Sequence, residues 1–318
     1  MSEEFDYGPA VRDVLPLILG IAGPTGSGKT YSSLRLATGM QRVTGGDIAL
    51  IDTEAKRATA YDRQFKFNHL DFRPPFGPLR YKAAFQHVIA RGAKIVITDS
   101  MSHEHSGEGG VMDQIDKWLD HKCGDDYGKR EKLNMLAHKA PKAERKELNN
   151  YITQAGRGGV HFILCYRADD KVKPIQGQGI VHMGMTPETT SKLVYEMMAM
   201  FLLSAAADGR PISNPETPLE KMFTKLPIQF REMLVGGEPL SENLGQKFAE
   251  WARGEAHAPI TPPAEKTRPM EELTLAGDTK ASAGVAILQA WWGELAKSER
   301  VLLKDKIAPW KAIAEKGT

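Results

Sequence analysis

The stretch Gly23-Pro24-Thr25-Gly26-Ser27-Gly28-Lys29-Thr30 fits the pattern G-x-x-x-x-G-K-[ST] at every fixed position. The apolar run 14–21 precedes it and a helical pattern over 31–40 follows, which is the strand–loop–helix context that this motif needs. Backbone N–H groups of such a loop and of the following helix N-terminus converge on bound phosphate. We therefore predict that all eight residues bind a nucleotide, with Lys29 at the β- and γ-phosphates and the Thr30 hydroxyl on Mg²⁺. A chance glycine-rich loop is the alternative.

Length and composition are those of a globular protein. The chain has 318 residues, 41% of them hydrophobic, and its net charge of +2 indicates no global positive field for nucleic acid. Its two cysteines, Cys123 and Cys165, exclude a disulfide framework and a cysteine-based zinc site. The acidic N-terminus lacks a signal-peptide pattern, and no run of 18 apolar residues is present. We therefore expect a cytoplasmic protein with no membrane partner.

Apolar runs alternate with helical patterns along the first 250 residues. The strongest apolar runs are 14–21, 47–52, 93–98 and 160–165. The alternation predicts an α/β fold with a mostly parallel central sheet and helices on both faces. The polar, glycine-bearing segment 168–191 is predicted to be a long functional loop, and 192–203 is predicted to return as a strand or strand pair.

Shifts in composition predict the domain organisation. The expected parts are a flexible N-terminus at 1–13, a nucleotide-binding domain at 14–254, a Pro-rich linker at 255–281 and a small helical tail at 282–318. In the tail, Trp291 and Leu295 form an i, i+4 pair. That pair would either dock a partner or make a small core, and we favour the small core.

Carboxylates follow two of the predicted strands. Asp99 comes directly after the run 93–98, where a carboxylate holds Mg²⁺ directly or through its water shell; a capping role is the alternative. Glu54 follows the run 47–52, and ligands of parallel sheets bind outside such strand ends. Glu54 is therefore predicted to polarise the water that attacks the γ-phosphate. Asp52 competes for that role, and a solvated Glu54 is the remaining alternative.

Five blocks of the sequence together resemble a group of bacteriophage AAA-family ATPases with a RecA-like core, which includes the annealing ATPases of phage recombination. These blocks are 22–30, 51–54, 99–104, 106–110 and 165–168. The similarity covers residues 14–253. It implies a RecA-like P-loop NTPase fold and ATP-dependent work on single-stranded DNA in phage recombination or replication, in the host cytoplasm.

The same resemblance implies roles for further residues. In RecA-like ATPases the water-activating glutamate follows the second strand, as Glu54 does. An aromatic residue seven positions later stacks on adenine, which implies that Tyr61 binds the base; a core tyrosine is the alternative. A polar residue that senses the γ-phosphate comes after the strand at 160–165. This chain has Arg167 there instead of the glutamine of the recombinases, and arginine makes charge-assisted contacts to phosphate.

Expected partners follow from the resemblance as well. Lys171 and Lys173 lie in the segment that corresponds to a DNA-binding loop, so they are predicted to contact single-stranded DNA. The basic stretch 129–146 is either a solvated helix face or the lining of a nucleic-acid channel. RecA-like ATPases act as rings or filaments, which implies a homo-oligomer. The tail at 282–318 would recruit a single-strand-binding or replication protein.

Other functions stay open on the sequence alone. A replicative helicase or helicase loader would use the same core, and a slow ATP-dependent switch would use the tail to recruit a replication partner. A small-molecule kinase is disfavoured because neither an Arg-rich lid nor an acceptor pocket is evident. A metal site at His103-Glu104-His105 is also disfavoured, because the spacing alternates and no third ligand is in register.

Overall fold

A computed structural model of the chain describes residues 14–175, 179–189, 191–234, 237–254, 269–295 and 297–316. The chain divides into two compact units, residues 1–255 and 256–318. The predicted flexible N-terminus at 1–13 and the part of the predicted linker at 255–268 lie outside the described residues. In the part of the chain that is described, no helix combines the length and the apolar character needed to cross a membrane.

The first unit alternates strands and helices. Its strands are β1 (Ile18–Gly23), β2 (Asp47–Asp52), β3 (Asn68–Asp71), β4 (Ala93–Asp99), β5 (His161–Ile175), β6 (Gly179–Pro187) and β7 (Ala199–Leu202). Its helices are α1 (Lys29–Thr44), α2 (Pro78–Ile89), α3 (His103–Ser106), α4 (Val111–Cys123), α5 (Tyr127–Ala137), α6 (Lys142–Arg157), α7 (Ser191–Glu196), α8 (Pro218–Phe223), α9 (Ile228–Met233) and α10 (Glu242–Ala252). A 3-10 helix spans Arg57–Tyr61.

The strands form one sheet in the order β3-β2-β4-β5-β1-β7, with β6 paired to β5 outside this path. Every pairing along the path is parallel, and only β5 with β6 is antiparallel. This confirms the predicted α/β fold with a mostly parallel sheet. Because β5 lies between β1 and β4, the carboxyl ends of these three strands meet at one edge of the sheet.

The two faces of the sheet bury two separate apolar clusters, which explains the continuous apolar character of the strands. Successive side chains of a strand point to opposite faces. In β1, Ile18 and Ala22 belong to one cluster, whereas Leu19 and Ile21 belong to the other. Helices α2 and α6 cover the first cluster, and α1 and α10 cover the second. Helices therefore lie on both faces, as the alternation predicts.

Helices α1 and α10 approach each other closely because each carries a glycine at the crossing. A Cβ atom on Gly39 would fall on the carbonyl oxygen of Glu242, and one on Gly245 would fall on that of Leu36. Beside the crossing, Arg35 binds Glu242 through two hydrogen bonds of 2.9 and 3.0 Å. The crossing holds α1, whose first residues belong to the glycine-rich loop, against the rest of the unit.

The segment predicted as a long loop, 168–191, is a β-hairpin instead. Strand β5 continues past Arg167 to Ile175, and Lys171 pairs with Gly184 of β6. Much of the hairpin is exposed, including its apolar residues Val172 and Ile180, so it lacks the buried apolar run that marks the other strands. The next prediction is wrong in part, because α7 precedes β7 where 192–203 was expected to be a strand or strand pair.

The second unit is helical, with α11 (Met270–Ser282), α12 (Val285–Glu294), α13 (Lys297–Leu302) and α14 (Ile307–Lys316). The predicted linker 255–281 is therefore too long, since α11 begins at Met270 and buries Leu273 in the small core of this unit. Trp310 packs over Gly277, where a Cβ atom would strike its indole ring. Trp291 and Leu295 are buried in the same cluster, as the small-core interpretation predicts.

Candidate functional site at the strand ends

The glycine-rich loop at 23–30 joins β1 to α1 and curls around a lysine. Gly26 and Gly28 have φ angles of 81° and 92°, in the left-handed region that favours glycine. The ammonium group of Lys29 donates hydrogen bonds to the carbonyl oxygens of Gly23 at 2.8 Å and Pro24 at 2.9 Å. The loop thus forms a cradle whose only charged side chain is a cation at its centre.

Thr30 and Asp99 meet although they are far apart in the chain. The Thr30 hydroxyl, in the first turn of α1, donates a hydrogen bond to a carboxylate oxygen of Asp99 at the end of β4. Burial raises the pKa of the Asp99 carboxyl to about 6, against the lowering effects of the Thr30 hydrogen bond and the Lys29 charge, and Glu54 adds to the rise. A hydroxyl and a buried carboxylate therefore stand side by side at the mouth of the loop.

Glu54 lies beyond the end of β2 and is held by two arginines. Its carboxylate is 2.7 Å from the Arg167 guanidinium on β5 and 3.1 Å from that of Arg57. Burial opposes ionisation of Glu54, but the hydrogen bond and charge of Arg167, followed by the charge of Arg57, outweigh it and lower the pKa. The structure thus brings together Glu54 and Arg167, two residues 113 positions apart in the chain.

Asp52 was the alternative to Glu54 as the carboxylate that polarises water, but its oxygens are already hydrogen-bonded to the backbone. Its carboxylate is almost fully buried and accepts hydrogen bonds from the backbone N–H groups of Glu54 at 2.7 Å and Ala58 at 3.0 Å. His69 lies 3.2 Å from the same carboxylate. Asp52 therefore fixes the turn that presents Glu54, whose carboxylate is bound by arginine side chains of the cavity lining and by no backbone group that the structure describes.

These groups surround one cavity of about 250 Å³ at the carboxyl edge of the sheet. Its lining comprises Thr25, Gly26, Gly28, Lys29, Thr30, Tyr31, Asp52, Glu54, Arg57, Ala58, Tyr61, Asp99 and Arg167. Of the predicted nucleotide-binding residues, Gly23, Pro24 and Ser27 are absent from the lining, and Ser27 is fully buried. Gly23 and Pro24 instead bind Lys29 through their carbonyl groups.

The cavity has an aromatic wall that sequence reasoning found only in part. Tyr61 lines it, as predicted, but its ring contacts that of Tyr31 at a centroid distance of 5.7 Å. Tyr31 packs in turn on Phe65 at 5.3 Å. Tyr31 directly follows the glycine-rich loop in the sequence, and that position could have predicted that it lines the cavity. Arg57 was also missed, since its only mark is its distance of three residues from Glu54.

Thr53, which lies between Asp52 and Glu54 in the chain, connects this edge of the sheet to the segment after β4. Its hydroxyl accepts a hydrogen bond from the backbone N–H of Ser100 and lies 2.7 Å from Nδ1 of His103 on α3. The Asp99–Ser100 peptide bond is cis. His103 also stacks on Phe76 with a centroid distance of 5.0 Å. Helix α3 is therefore held directly against the strand end that carries Glu54.

The remaining predicted site residues lie elsewhere. Lys171 and Lys173 are exposed on the β5–β6 hairpin and do not line the cavity. Glu104 of the His103-Glu104-His105 sequence is buried and binds Arg145 of α6 at 2.9 and 3.0 Å. Within the described ranges, no group of three His, Cys, Asp or Glu side chains is placed to hold a metal.

Comparison with models of protein families finds no match to this chain, and comparison with curated proteins finds no significant match. The chemistry of the cavity at the strand ends is therefore the basis for a functional proposal.

Proposed function

We propose that this protein is a RecA-like P-loop ATPase that hydrolyses ATP with Mg²⁺ and acts on single-stranded DNA in phage recombination or replication. One observation carries the proposal. A single cavity contains the phosphate-loop lysine, the Thr30–Asp99 pair and the Glu54 carboxylate, contributed by three different parts of the chain. These are the groups that binding and hydrolysis of a nucleoside triphosphate require.

The glycine-rich loop would bind the phosphates of ATP. Its backbone N–H groups and the N-terminus of α1 supply donors for the phosphate oxygens, and the helix dipole favours the negative charge. In the structure, Lys29 donates its hydrogen bonds to the carbonyl oxygens of Gly23 and Pro24, which belong to the loop itself. The ammonium group would exchange these neutral acceptors for charged phosphate oxygens, which are the stronger acceptors.

Thr30 and Asp99 fit a magnesium site. Mg²⁺ prefers hard oxygen ligands and is usually held by one or two carboxylates together with phosphate oxygens and water. The side-by-side hydroxyl and carboxylate at the mouth of the loop match that donor set without a third acidic ligand. When bound, the ion neutralises charge on the phosphates. Asp99 would then be ionised although its pKa is raised in the protein alone.

Glu54 would orient the attacking water and accept its proton. The water oxygen bonds to the γ-phosphorus while the bond to the β–γ bridging oxygen breaks, so ADP and phosphate leave. The lowered pKa keeps Glu54 ionised at neutral pH, as a proton acceptor requires. Arg167 holds this carboxylate in the protein alone. A γ-phosphate is a competing partner for the guanidinium, and its arrival would free Glu54 for the water.

The action on single-stranded DNA rests on the sequence resemblance, as do the ring or filament assembly and a replication partner for the tail. Lys171 and Lys173 on the exposed hairpin are candidates for phosphate contact. Arg167 lies within β5 directly before the part that pairs with β6, so a change at the γ-phosphate would be passed directly to the hairpin. A helicase or helicase loader, and a slow switch that recruits a partner, remain the second and third candidates.

ATP hydrolysis measured with and without single-stranded DNA, in the wild type and in Glu54→Gln, tests the proposal. We expect hydrolysis by the wild type, stimulation by DNA, and loss of both in Glu54→Gln. Glu131→Gln, at an exposed position of α5, is the matched control and should keep the wild-type rates. Equal rates in all four main assays contradict the mechanism. Hydrolysis that needs Glu54 but ignores DNA keeps the ATPase and removes the DNA role.

A further inference from the structure

A second cavity of the first unit is an open cleft of about 710 Å³ that is separate from the cavity at the strand ends. It is enclosed by α3, α4, α6 and α7, and the two cavities share no lining residue. The residues that give it its chemistry are His105, Lys142, Lys146, Asn149, Asn150 and Tyr195. The volume lies within the range of about 300–1,000 Å³ that is usual for ligand sites.

The cleft is positively charged along one wall. Lys142 and Lys146 lie one turn apart on α6, and neither forms an ion pair with any side chain that the structure describes. Arg145 also lines the cleft, but its charge is compensated by Glu104. Glu196 is the single acidic residue in the lining. Two uncompensated ammonium groups therefore face the space, and they favour an anionic ligand.

The rest of the lining suits the bases of a nucleic acid. Asn149 and Asn150 carry amides that donate and accept hydrogen bonds, and Tyr195 of α7 has a side chain that is 71% exposed. Nδ1 of His105 is buried and has no hydrogen-bond partner among the residues that the structure describes. Exposed aromatic rings beside lysines are the elements with which proteins bind single strands, because bases stack and phosphates pair with cations.

We propose that this cleft binds a short segment of single-stranded nucleic acid, with its phosphates on Lys142 and Lys146 and a base on Tyr195. The inference rests on the proposed function and names the place where the strand lies. Consecutive phosphates of a strand would pair with the two lysines, one phosphate on each. A base paired within a duplex cannot stack on a tyrosine ring, so the strand is single.

Helix α3 connects this cleft to the nucleotide cavity. On one side, His103 lies 2.7 Å from the Thr53 hydroxyl, next to Glu54. On the other side, Glu104 binds Arg145 of the cleft wall through two hydrogen bonds. This helix follows Asp99 by four residues. A strand in the cleft and a nucleotide at the strand ends therefore act on the same four-residue helix.

Fluorescence anisotropy with a labelled 20-nucleotide oligo-dT tests the cleft. The key variant is Lys142→Ala/Lys146→Ala, and the matched control is Lys129→Ala/Lys132→Ala, two exposed lysines of α5 in the same basic stretch that do not line the cleft. We expect affinity to fall about tenfold in the cleft variant, and the slope of log affinity against log salt to shrink by about 1.4, for two lost phosphate contacts. Tyr195→Ala should weaken binding, and Tyr195→Phe should not.

Wild-type affinity and slope in the cleft variant overturn the inference, and so does equal weakening in the α5 control, which would indicate a general charge effect. Loss of binding only in Lys171→Ala/Lys173→Ala would place the strand on the hairpin instead. Competition by thymidine monophosphate as effective as oligo-dT would make the cleft a mononucleotide site. Absence of any oligo-dT binding by the wild type contradicts the DNA role itself, so the two failures are distinguishable. Unchanged basal ATP hydrolysis shows that the cleft variant is folded.

Discussion

Glu54 and Asp99, at the ends of β2 and β4, line the same cavity, yet their carboxylates are held in opposite ways. Asp99 at the end of β4 is buried beside a neutral hydroxyl, and its pKa is raised to about 6. Glu54 beyond the end of β2 is half-buried beside two guanidinium groups, and its pKa is lowered. Neighbouring side chains therefore shift the pKa values of two acids in one cavity in opposite directions.

A buried acid beside a hydroxyl is costly to ionise until a cation arrives, which suits a metal ligand. An acid kept ionised by arginines is ready to accept a proton, which suits a base. Opposed pKa shifts within one cavity are a general sign of such a division of roles. The following predictions test whether Glu54 and Asp99 differ in this way.

The largest effect is expected at the β2 end. Glu54→Gln removes the proposed proton acceptor but keeps the size of the side chain, so kcat for ATP hydrolysis should fall about 100- to 10,000-fold. Nucleotide affinity should stay within about threefold, because the glycine-rich loop is untouched. Steady-state hydrolysis and titration with a fluorescent ATP analogue measure the two quantities. A rise in Kd that matches the fall in kcat would assign Glu54 to binding instead.

At the β4 end, the opposite environment of Asp99 should appear in the free energy of unfolding. Because the pKa of Asp99 rises from 3.8 to about 6 on folding, its ionisation disfavours the folded state above pH 6. Asp99→Asn keeps an acceptor for Thr30 and removes this cost, so it should stabilise the metal-free protein by up to about 3 kcal/mol at pH 7.5. The gain should shrink to about 0.5 kcal/mol near pH 4, where the carboxyl is protonated in the folded protein and only partly ionised in the unfolded chain. Urea unfolding without Mg²⁺ at the two pH values measures it.

Glu54 provides the control for that measurement. Its folded pKa is lowered, so its ionised form contributes stability above the unfolded pKa and loses it as the pH falls. Glu54→Gln should therefore destabilise the protein slightly at pH 7.5, by less than about 1 kcal/mol, because the ion pair is partly exposed. If both variants shift stability in the same direction, the two carboxylates do not have the opposed environments described above.

Much of this site was predictable because its parts stand at strand ends. The spacing of the glycine-rich loop predicts Lys29 and Thr30, and apolar runs that end in an acid predict Asp99. The parallel sheet then brings these distant residues together at one edge, as strand alternation predicts. Periodicity carries this information because the buried strands are apolar on both faces.

The features that were not predictable depend on tertiary contacts. Nothing in the sequence shows that the Asp52 carboxylate accepts hydrogen bonds from two backbone N–H groups, or that Arg167 binds Glu54. The β5–β6 hairpin was missed because much of it is exposed, its apolar residues Val172 and Ile180 included, so it lacks a buried apolar run. Helix α11 was missed because the prolines just before it suggested that the linker continued.

A smaller effect is expected from Arg167, which forms an ion pair with Glu54. Arg167→Ala removes the largest favourable charge beside Glu54, so the pKa of Glu54 should rise. The acid limb of the pH–kcat/KM profile, which reports the protein before nucleotide binds, should then move to higher pH. The kcat at pH 7.5 should fall about tenfold through loss of the proposed phosphate contact. Arg57→Ala, the matched control on the other side of Glu54, should shift the acid limb less. An unchanged limb in Arg167→Ala would separate Arg167 from the base.

The smallest effect is expected at the aromatic wall, which also follows the β2 end. Base stacking contributes about 1 kcal/mol or more per ring, so Tyr61→Ala should raise KM for ATP about five- to tenfold and leave kcat nearly unchanged. Tyr31 shares this wall, with the two rings 5.7 Å apart. Tyr31→Ala is therefore the decisive companion. If it raises KM and Tyr61→Ala does not, Tyr61 only supports the ring of Tyr31, and the base lies against the first turn of α1. Equal KM values in both variants and the wild type would remove the aromatic wall from the site and leave binding to the phosphate groups alone.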